Sequence, residues 1–327
     1  MAGLFPHPSG NPNRTRRHSA TLALCALLTA CLGFGTAPAA ADTEVRLYRR
    51  DETPSKPQHS ELVLLEALHR TEKKYGRAHV AHTGGNLPRE RLLIEMIKGE
   101  TVNVTIVATQ PSWEASTLPI WVPVDLGLSS YRIGFVRKDG QARLNNVKTL
   151  DDLRKISVGV GLGWSSRKIM EASQLQMETA RDQDALTKML VAERVDYFPR
   201  GVNEIFSEYD AMPDRPPELA VESDLLLEFP LPTYIFVSPA APALARRIHE
   251  GMESMVKDGT LLKMVVRNHA EMLQRARLCQ RRVIHLPNPL LSADNPIQRK
   301  ELWFDPFSPA TGLCPTAAVA KKKGQTR

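Results

Sequence analysis

Two stretches of the chain combine glycines, hydroxyls and a guanidinium in a pattern that could bind an anion. In the first stretch, Ser157 to Val160 is a β-prone run, Gly161 and Gly163 form a turn, and a helical pattern opens at Ser165 and Ser166. A helix start presents unpaired N–H groups and the positive end of the helix dipole, which together favour a carboxylate or phosphate. The sequence therefore predicts anion donors at Ser165 and Ser166, with plain helix capping as the alternative.

The second stretch contributes Arg200, which follows the β-run Val195 to Phe198. Carboxyl ends of strands meet at one edge of an open α/β sheet, so we expect Arg200 to lie near the glycine turn. Its planar fork can hold a carboxylate or phosphate bidentately. The alternative is an ion pair with Glu204 or Asp196.

Three more side chains are candidates for the wall of a binding site. Trp113 and Trp164 offer flat apolar surfaces on which a ligand stacks, although tryptophan is also common in cores. Arg132, beside Tyr131, either faces a ligand or is a solvated strand residue. We predict no metal site, no cofactor and no catalytic residue, because His79 and His82 point to opposite faces of a strand and no nucleophile elbow occurs.

The start of the chain has the features of an export signal, and the charge is mild. Residues 1–41 contain three arginines, an apolar run and a small-residue cleavage region, which predicts a signal peptide and a periplasmic location. Without them the net charge falls from 43 − 36 = +7 to 40 − 36 = +4, too low to indicate nucleic-acid binding. A lipid anchor on Cys31 is the alternative to soluble export.

Beyond residue 41 the sequence holds only two cysteines, Cys279 and Cys314. An even pair in an exported chain is compatible with one disulfide, which would tie the C-terminal segment to the body. Two free thiols are the alternative.

Hydrophobic periodicity predicts an α/β protein of two lobes. Strands and helices alternate from residue 44 to 108, which implies a mostly parallel sheet covered by helices on both faces. We place the crossings between lobes at 137–148 and 233–238. The predicted division is 1–41 signal peptide, 42–137 and 233–282 first lobe, 138–232 second lobe, and 283–327 C-terminal extension and tail.

Three segments resemble the periplasmic solute-binding fold of the amino-acid-binding type, the type 2 clamshell. They are RLLIEMIKGETVNVTIVAT from Arg91, KTLDDLRKISVGVGLGW from Lys148 and ALTKMLVAERVDYFPRG from Ala185. The segment DYFPRGVNEI is similar to the sequences of a branch of transporter substrate-binding-domain proteins. The resemblance implies that two lobes close over a ligand.

The sequence departs from that family at two ligand positions. No arginine follows the strand Val102 to Ala108, where the family pairs a ligand carboxylate, and Arg200 stands where the family carries an acidic residue. We therefore expect a non-enzymatic, monomeric receptor for a small anionic or polar solute, working with a membrane permease or sensor, for example of an ABC transporter. The alternatives are a dehydratase-like periplasmic enzyme using Glu114 or Glu204, and a ligand-free sensor module.

Overall fold

The structure, a computed structural model, describes residues 42–49 and 57–314. The predicted signal peptide with Cys31, and the tail from Lys321, lie outside the described residues. Among the described residues, none of the helices combines the length and the apolar character needed to cross a bilayer.

Twelve strands are described in these residues. They are β1 Thr43–Arg49, β2 Ala78–Gly84, β3 Val104–Ala108, β4 Leu118–Ile120, β5 Tyr131–Arg137, β6 Ser157–Gly161, β7 Gln176–Ala180, β8 Phe198–Gly201, β9 Leu219–Val221, β10 Leu225–Glu228, β11 Thr233–Val237 and β12 Arg282–His285. The helices are α1 His59–Arg70, α2 Glu72–Tyr75, α3 Arg89–Lys98, α4 Pro111–Ser116, α5 Gln141–Asn145, α6 Leu150–Leu153, α7 Ser165–Ala172, α8 Gln183–Val191, α9 Ile205–Asp210, α10 Pro242–Lys257, α11 Thr260–Asn268 and α12 Ala270–Ala276.

The first lobe is built on a five-stranded sheet in the order β2-β1-β3-β11-β4. Strands β1, β2 and β3 are parallel, while β11 runs antiparallel to both β3 and β4. Helix α1 packs on α10 so closely that a Cβ at Gly251 would stand 2.2 Å from the carbonyl oxygen of Ala67. The chain returns to this lobe through β11, as the periodicity predicts.

The second lobe contains the sheet β12-β10-β5-β8, with β9 also paired to β5, and the parallel pair β6-β7. A parallel bridge from Val158 to Tyr197 joins β6 to the segment that enters β8. Most pairings around β5 are antiparallel. The α/β class and the two-lobe architecture are confirmed, but the sheets are mixed rather than mostly parallel.

The lobe boundaries differ from the predicted division. The first-lobe boundary at 137 is wrong, because β5 pairs with β8 and β10 of the second lobe and not with the first sheet. The chain therefore crosses between 121 and 130, a run whose single proline, Pro123, and short 3-10 turn, Leu128–Ser130, give no strand periodicity. The boundary at 282 is also displaced, because β12 adds to the second-lobe sheet beside β10.

The two lobes share a hydrophobic core at the crossing. One buried cluster continues from Leu47 and Leu64 of the first lobe through Val124 and Leu128 to Phe198 of the second. The connection between the lobes is thus more than the two chain crossings that the sequence predicts, and separating the lobes has to pull packed side chains apart. Burial of a Val or Leu side chain contributes ~1.5–3 kcal/mol.

His59 ties the first helix to this crossing. Its Nε2–H donates to the carbonyl oxygen of Val124 at 3.0 Å, and its Nδ1 accepts from the amide of Asn268 at 3.0 Å. The ring also meets His269 edge to face with centroids 4.5 Å apart. Burial, and then the neighbouring His269, lower the pKa of His59 to about 4, while the Val124 carbonyl opposes the shift.

We predict that His59 makes the protein less stable in acid. Because its folded pKa of about 4 lies below the ordinary 6.5, the unfolded chain takes up a proton first as the pH falls. The contribution is complete above pH ~6.5 and is lost towards pH ~4, a change of up to ~3 kcal/mol. Urea unfolding of wild type and of His59→Gln at both pH values measures it; equal losses in the two proteins would contradict the prediction.

Candidate functional site

A polar cavity of about 220 Å³ lies at the carboxyl ends of β1 and β3. The connection after β1 leads to β2 on one side, and the connection after β3 leads towards β4 on the other, so the cavity occupies the point where the sheet order reverses. Open α/β sheets bind ligands at such points. The polar residues of its wall are Arg49, Gln58, Ser60, Glu61, Arg89 and Thr105. We call it the first-lobe cavity.

Glu61 places a buried carboxylate in this wall. It stands in the first turn of α1, where the helix dipole favours a negative charge. One oxygen accepts from Arg49 at 2.5 Å and the other contacts the Nε2 of His82 at 2.8 Å. The charge of Glu61 is therefore balanced within the protein.

Thr105 brings an unsatisfied hydroxyl to the same wall. Its side chain is fully buried on β3, and its Oγ1 has no hydrogen-bond partner among the described residues. A buried polar group left without a partner costs ~1–3 kcal/mol. A group of this kind calls for a partner outside the protein chain, such as an ordered water or a bound ion.

Arg89 connects the first-lobe cavity to the second lobe. It is the first residue of α3, yet its guanidinium reaches the end of β3 and donates to the carbonyl of Ala108 at 2.7 Å. A second nitrogen donates to Ser165 Oγ of α7 at 3.3 Å. Arg89, from the helix that precedes β3, thus brings a guanidinium to the end of that strand, where the sequence itself has no arginine.

A second cavity, of about 280 Å³, lies between the lobes. The first lobe contributes Thr109 to Ser112, and the second contributes Ser165, Lys168 and Ile169. Gln110 donates to Ser165 Oγ across it at 3.4 Å. Leu231, Asn288 and Leu290 complete the wall. We call it the interlobe cavity.

Arg200 lies beside the glycine turn, as predicted, but its fork is already occupied. It grips the carboxylate of Glu208 with two nitrogens and lies 3.3 Å from Glu204. The guanidinium also stacks over the Trp164 ring at 4.2 Å. In this structure the ion-pair alternative holds, with Glu208 as the main partner, and the anion contact of Arg200 stays a prediction.

Arg132 and Glu204 extend this cluster. Glu204 lies 3.5 Å from the Arg132 guanidinium and accepts from the Gly201 amide at 3.1 Å. Burial opposes the charge on Glu204, but Arg200 and Arg132 outweigh it and hold its pKa below the usual range. A lowered pKa favours the carboxylate form of Glu204, which accepts a proton rather than donates one.

The remaining predicted residues do not lie together in one site. Trp113 is 1% exposed and packs against Phe236 in the first-lobe core, so its prediction as a ligand wall is corrected. Ser166 is buried in the first turn of α7, and only Ser165 of the serine pair lines a cavity. Sequence analysis missed Arg89, Thr105 and Glu61, and the only signal for Arg89 was the absent arginine after β3.

Comparisons with known proteins find similarity only at the level of solved structures. No family model and no curated protein matches the chain. An ancestral arginine-binding protein bound to arginine is 18% identical, with 69% of this chain and 97% of that chain covered and a TM-score of 0.47. A periplasmic binding protein of Salmonella typhimurium with high arginine specificity is 13% identical, with coverages of 68% and 97% and a TM-score of 0.46.

A third similar structure is an ancestral amino-acid-binding protein described as a precursor of cyclohexadienyl dehydratase. It is 14% identical, with 68% of this chain and 94% of that chain covered and a TM-score of 0.45. These neighbours are amino-acid-binding proteins, the class that the three sequence segments resemble.

We predict that Arg200 supports the second lobe and not the ligand. Arg200→Met leaves Glu204 and Glu208 without their shared cation, and we expect it to lower the free energy of unfolding by ~3 kcal/mol. Arg167→Met, which removes a more exposed ion pair to Glu171, serves as the matched control and costs below ~1 kcal/mol. Urea denaturation measures the free energy of unfolding of both variants. Equal, small losses would show that the Arg200 cluster stabilises the protein no more than an exposed ion pair does.

Proposed function

We propose that the chain is an exported solute-binding protein that encloses a small acidic or polar solute between its lobes. The observation that carries the proposal is Arg89, which spans from the first-lobe cavity to Ser165 of the second lobe. A solute group held by Arg89 can contact both lobes at once. The closed arrangement would then be recognised by a membrane permease or sensor.

The charges of the first-lobe cavity support an acidic group on the solute. Arg49 and Arg89 contribute two positive charges to the wall and Glu61 contributes one negative charge. Glu61 already pairs with Arg49 and His82, and the residues of the wall carry one more positive than negative charge, which favours a carboxylate or phosphate on the solute. The Thr105 hydroxyl adds a neutral donor beside it.

Closure would strengthen these contacts by excluding water. A charge-assisted hydrogen bond is worth more in a water-poor site than in solvent. The interlobe cavity adds Lys168, for which the structure shows no ion pair within residues 42–49 and 57–314, and the amide of Gln110. These groups recognise and enclose, and the proposal assigns no reaction to them.

The location and the partner follow from the same proposal. The N-terminal segment 1–41 has the composition of an export signal, which supports a periplasmic receptor. Delivery to an ABC-type permease or to a sensor are the two uses of such a receptor, and the chain working as a monomer fits either.

We predict that Arg89→Gln abolishes most solute binding. Losing a guanidinium–anion pair costs ~2–5 kcal/mol, which weakens the dissociation constant at least about thirtyfold. Native mass spectrometry of protein from its own periplasm identifies carried-over solute, and calorimetry with a panel of carboxylates and inorganic phosphate gives affinities. Arg91→Gln, an exposed arginine two positions along the same helix, is the control.

Two outcomes would count against this proposal. Unchanged affinity in Arg89→Gln would remove Arg89 from the site. A wild-type protein that carries no solute and shows no thermal shift with the panel would favour the ligand-free sensor module.

We also predict that Thr105→Val lowers the affinity for the solute without lowering the stability of the fold. The substitution keeps the shape but removes a buried hydroxyl that has no protein partner, so the melting temperature should stay the same or rise. The affinity for the solute should fall about five- to tenfold, because a neutral hydrogen bond contributes ~1 kcal/mol. Thr187→Val on α8, whose hydroxyl donates to the Gln183 carbonyl at 2.9 Å, is the control; lower stability with unchanged affinity in Thr105→Val would contradict the role.

A further inference from the structure

The C-terminal extension crosses both lobes instead of trailing from one of them. Residues 282–314, here called the strap, begin as β12, which pairs in parallel with β10 of the second lobe. The backbone continues this pairing, since the Leu286 amide donates to the Glu228 carbonyl at 2.9 Å. Asn288 then donates to the carbonyl of Pro230, just before β11, at 2.7 Å.

The strap next attaches to the first lobe through Asn295, which is 6% exposed. The Tyr234 hydroxyl of β11 donates to its side-chain oxygen at 3.0 Å, and its amide donates to Glu114 of α4 at 3.0 Å. Arg299 adds a bidentate contact to Glu253 of α10 at 2.6 and 2.9 Å. The first-lobe attachment is therefore made by one buried and one half-exposed polar residue.

The end of the strap returns to the crossing between the lobes. The Phe304 amide donates to the Leu126 carbonyl, and its carbonyl accepts from the Tyr131 hydroxyl at 2.9 Å. The Trp303 ring covers Gly127, whose φ of +70° and 2.7 Å clearance for a Cβ both exclude a larger residue. Cys314 is disulfide-bonded to Cys279, just before the strap begins.

Between these attachments the strap lines the interlobe cavity. Asn288 and Leu290 stand in its wall together with Thr109 to Ser112 of the first lobe and Ser165 and Lys168 of the second. Asn288 is held in place, because its side-chain oxygen accepts from the Leu290 amide at 3.0 Å. The cavity thus has three walls, and the third is the strap.

We propose that the strap completes the solute cleft and limits its opening. Separating the lobes moves β10 and β12 away from β11 and α10, and the strap is bonded to both groups. Opening therefore has to break the buried bonds of Asn295 or peel β12 from β10. The bridging role stands without a solute, whereas the role of Leu290 as a contact for the enclosed solute rests on the proposed function.

The test measures hydrogen exchange by mass spectrometry on the full chain without solute. The variant Asn295→Ala/Arg299→Ala releases the first-lobe attachment and leaves every cavity residue in place. We expect amides of α4 and α7, the two facing walls, to exchange at least about tenfold faster. Helix α8, which does not line the interlobe cavity, should keep its wild-type rate and serves as the internal reference.

The control is Ile297→Ala, a change in the same strap at a side chain that is 45% exposed and does not line the interlobe cavity. It should leave α4 and α7 unchanged. Wild-type exchange in α4 and α7 of the folded double variant, judged by circular dichroism, overturns the proposal. Faster exchange that extends equally to α8 also overturns the proposal, because it would show that the whole fold, and not the cleft alone, has become less stable.

A second variant covers the case in which the double variant does not fold. Leu290→Ala trims the third wall without touching an attachment, and we expect about threefold faster exchange at the start of α7 alone. Unchanged exchange there overturns the wall assignment. Because no solute is added, these outcomes are independent of the Arg89→Gln result, so the strap and the proposed function can fail separately.

Discussion

Charged side chains that lose contact with water need partners inside the protein. This constraint shapes the Arg200 and Glu61 clusters, and the rest of the structure depends on it. Where the lobes meet, guanidinium and carboxylate groups are partly buried, and a buried charge without a partner is strongly destabilising. Arg200 meets this need with Glu208 and Glu204, and Glu61 meets it with Arg49 and His82. The proposed function assigns ligand recognition to two other groups: the guanidinium of Arg89, which bridges the lobes, and the buried hydroxyl of Thr105.

The same constraint explains how a family-like frame can hold a different site. The position where an acidic residue would meet an ammonium carries Arg200, which has become part of the frame through its ion pairs and its stacking on Trp164. The cation at the end of β3 comes from α3 instead. A long side chain makes this exchange possible, because a guanidinium can reach a fixed point from several places in the chain.

The contacts at the crossing between the lobes limit how far the lobes can separate. A buried cluster runs from one lobe to the other through the crossing, and the strap adds bonds to both lobes and a disulfide. Because the crossing is packed and the strap is bonded to both lobes, the proposed opening of the lobes covers a narrow range. A narrow range reduces the ordering cost of closure and pre-organises the donors that line the cavities.

The sequence by itself determined the α/β class, the alternation of the first lobe and the meeting of the glycine turn with Arg200, because periodicity and the direction of parallel strands are local properties. It missed β4, β7, β9, β10 and β12, whose three to five residues are too few to show a periodicity. It also assigned β5 to the wrong lobe, because a strand does not encode its neighbours. Only the tertiary structure decided that Arg200 pairs with Glu208, that Arg89 reaches Ser165, 76 residues away along the chain, and that the extension lines the interlobe cavity. These contacts join segments that are far apart in the sequence. The side chains come within bonding distance only once the chain has folded.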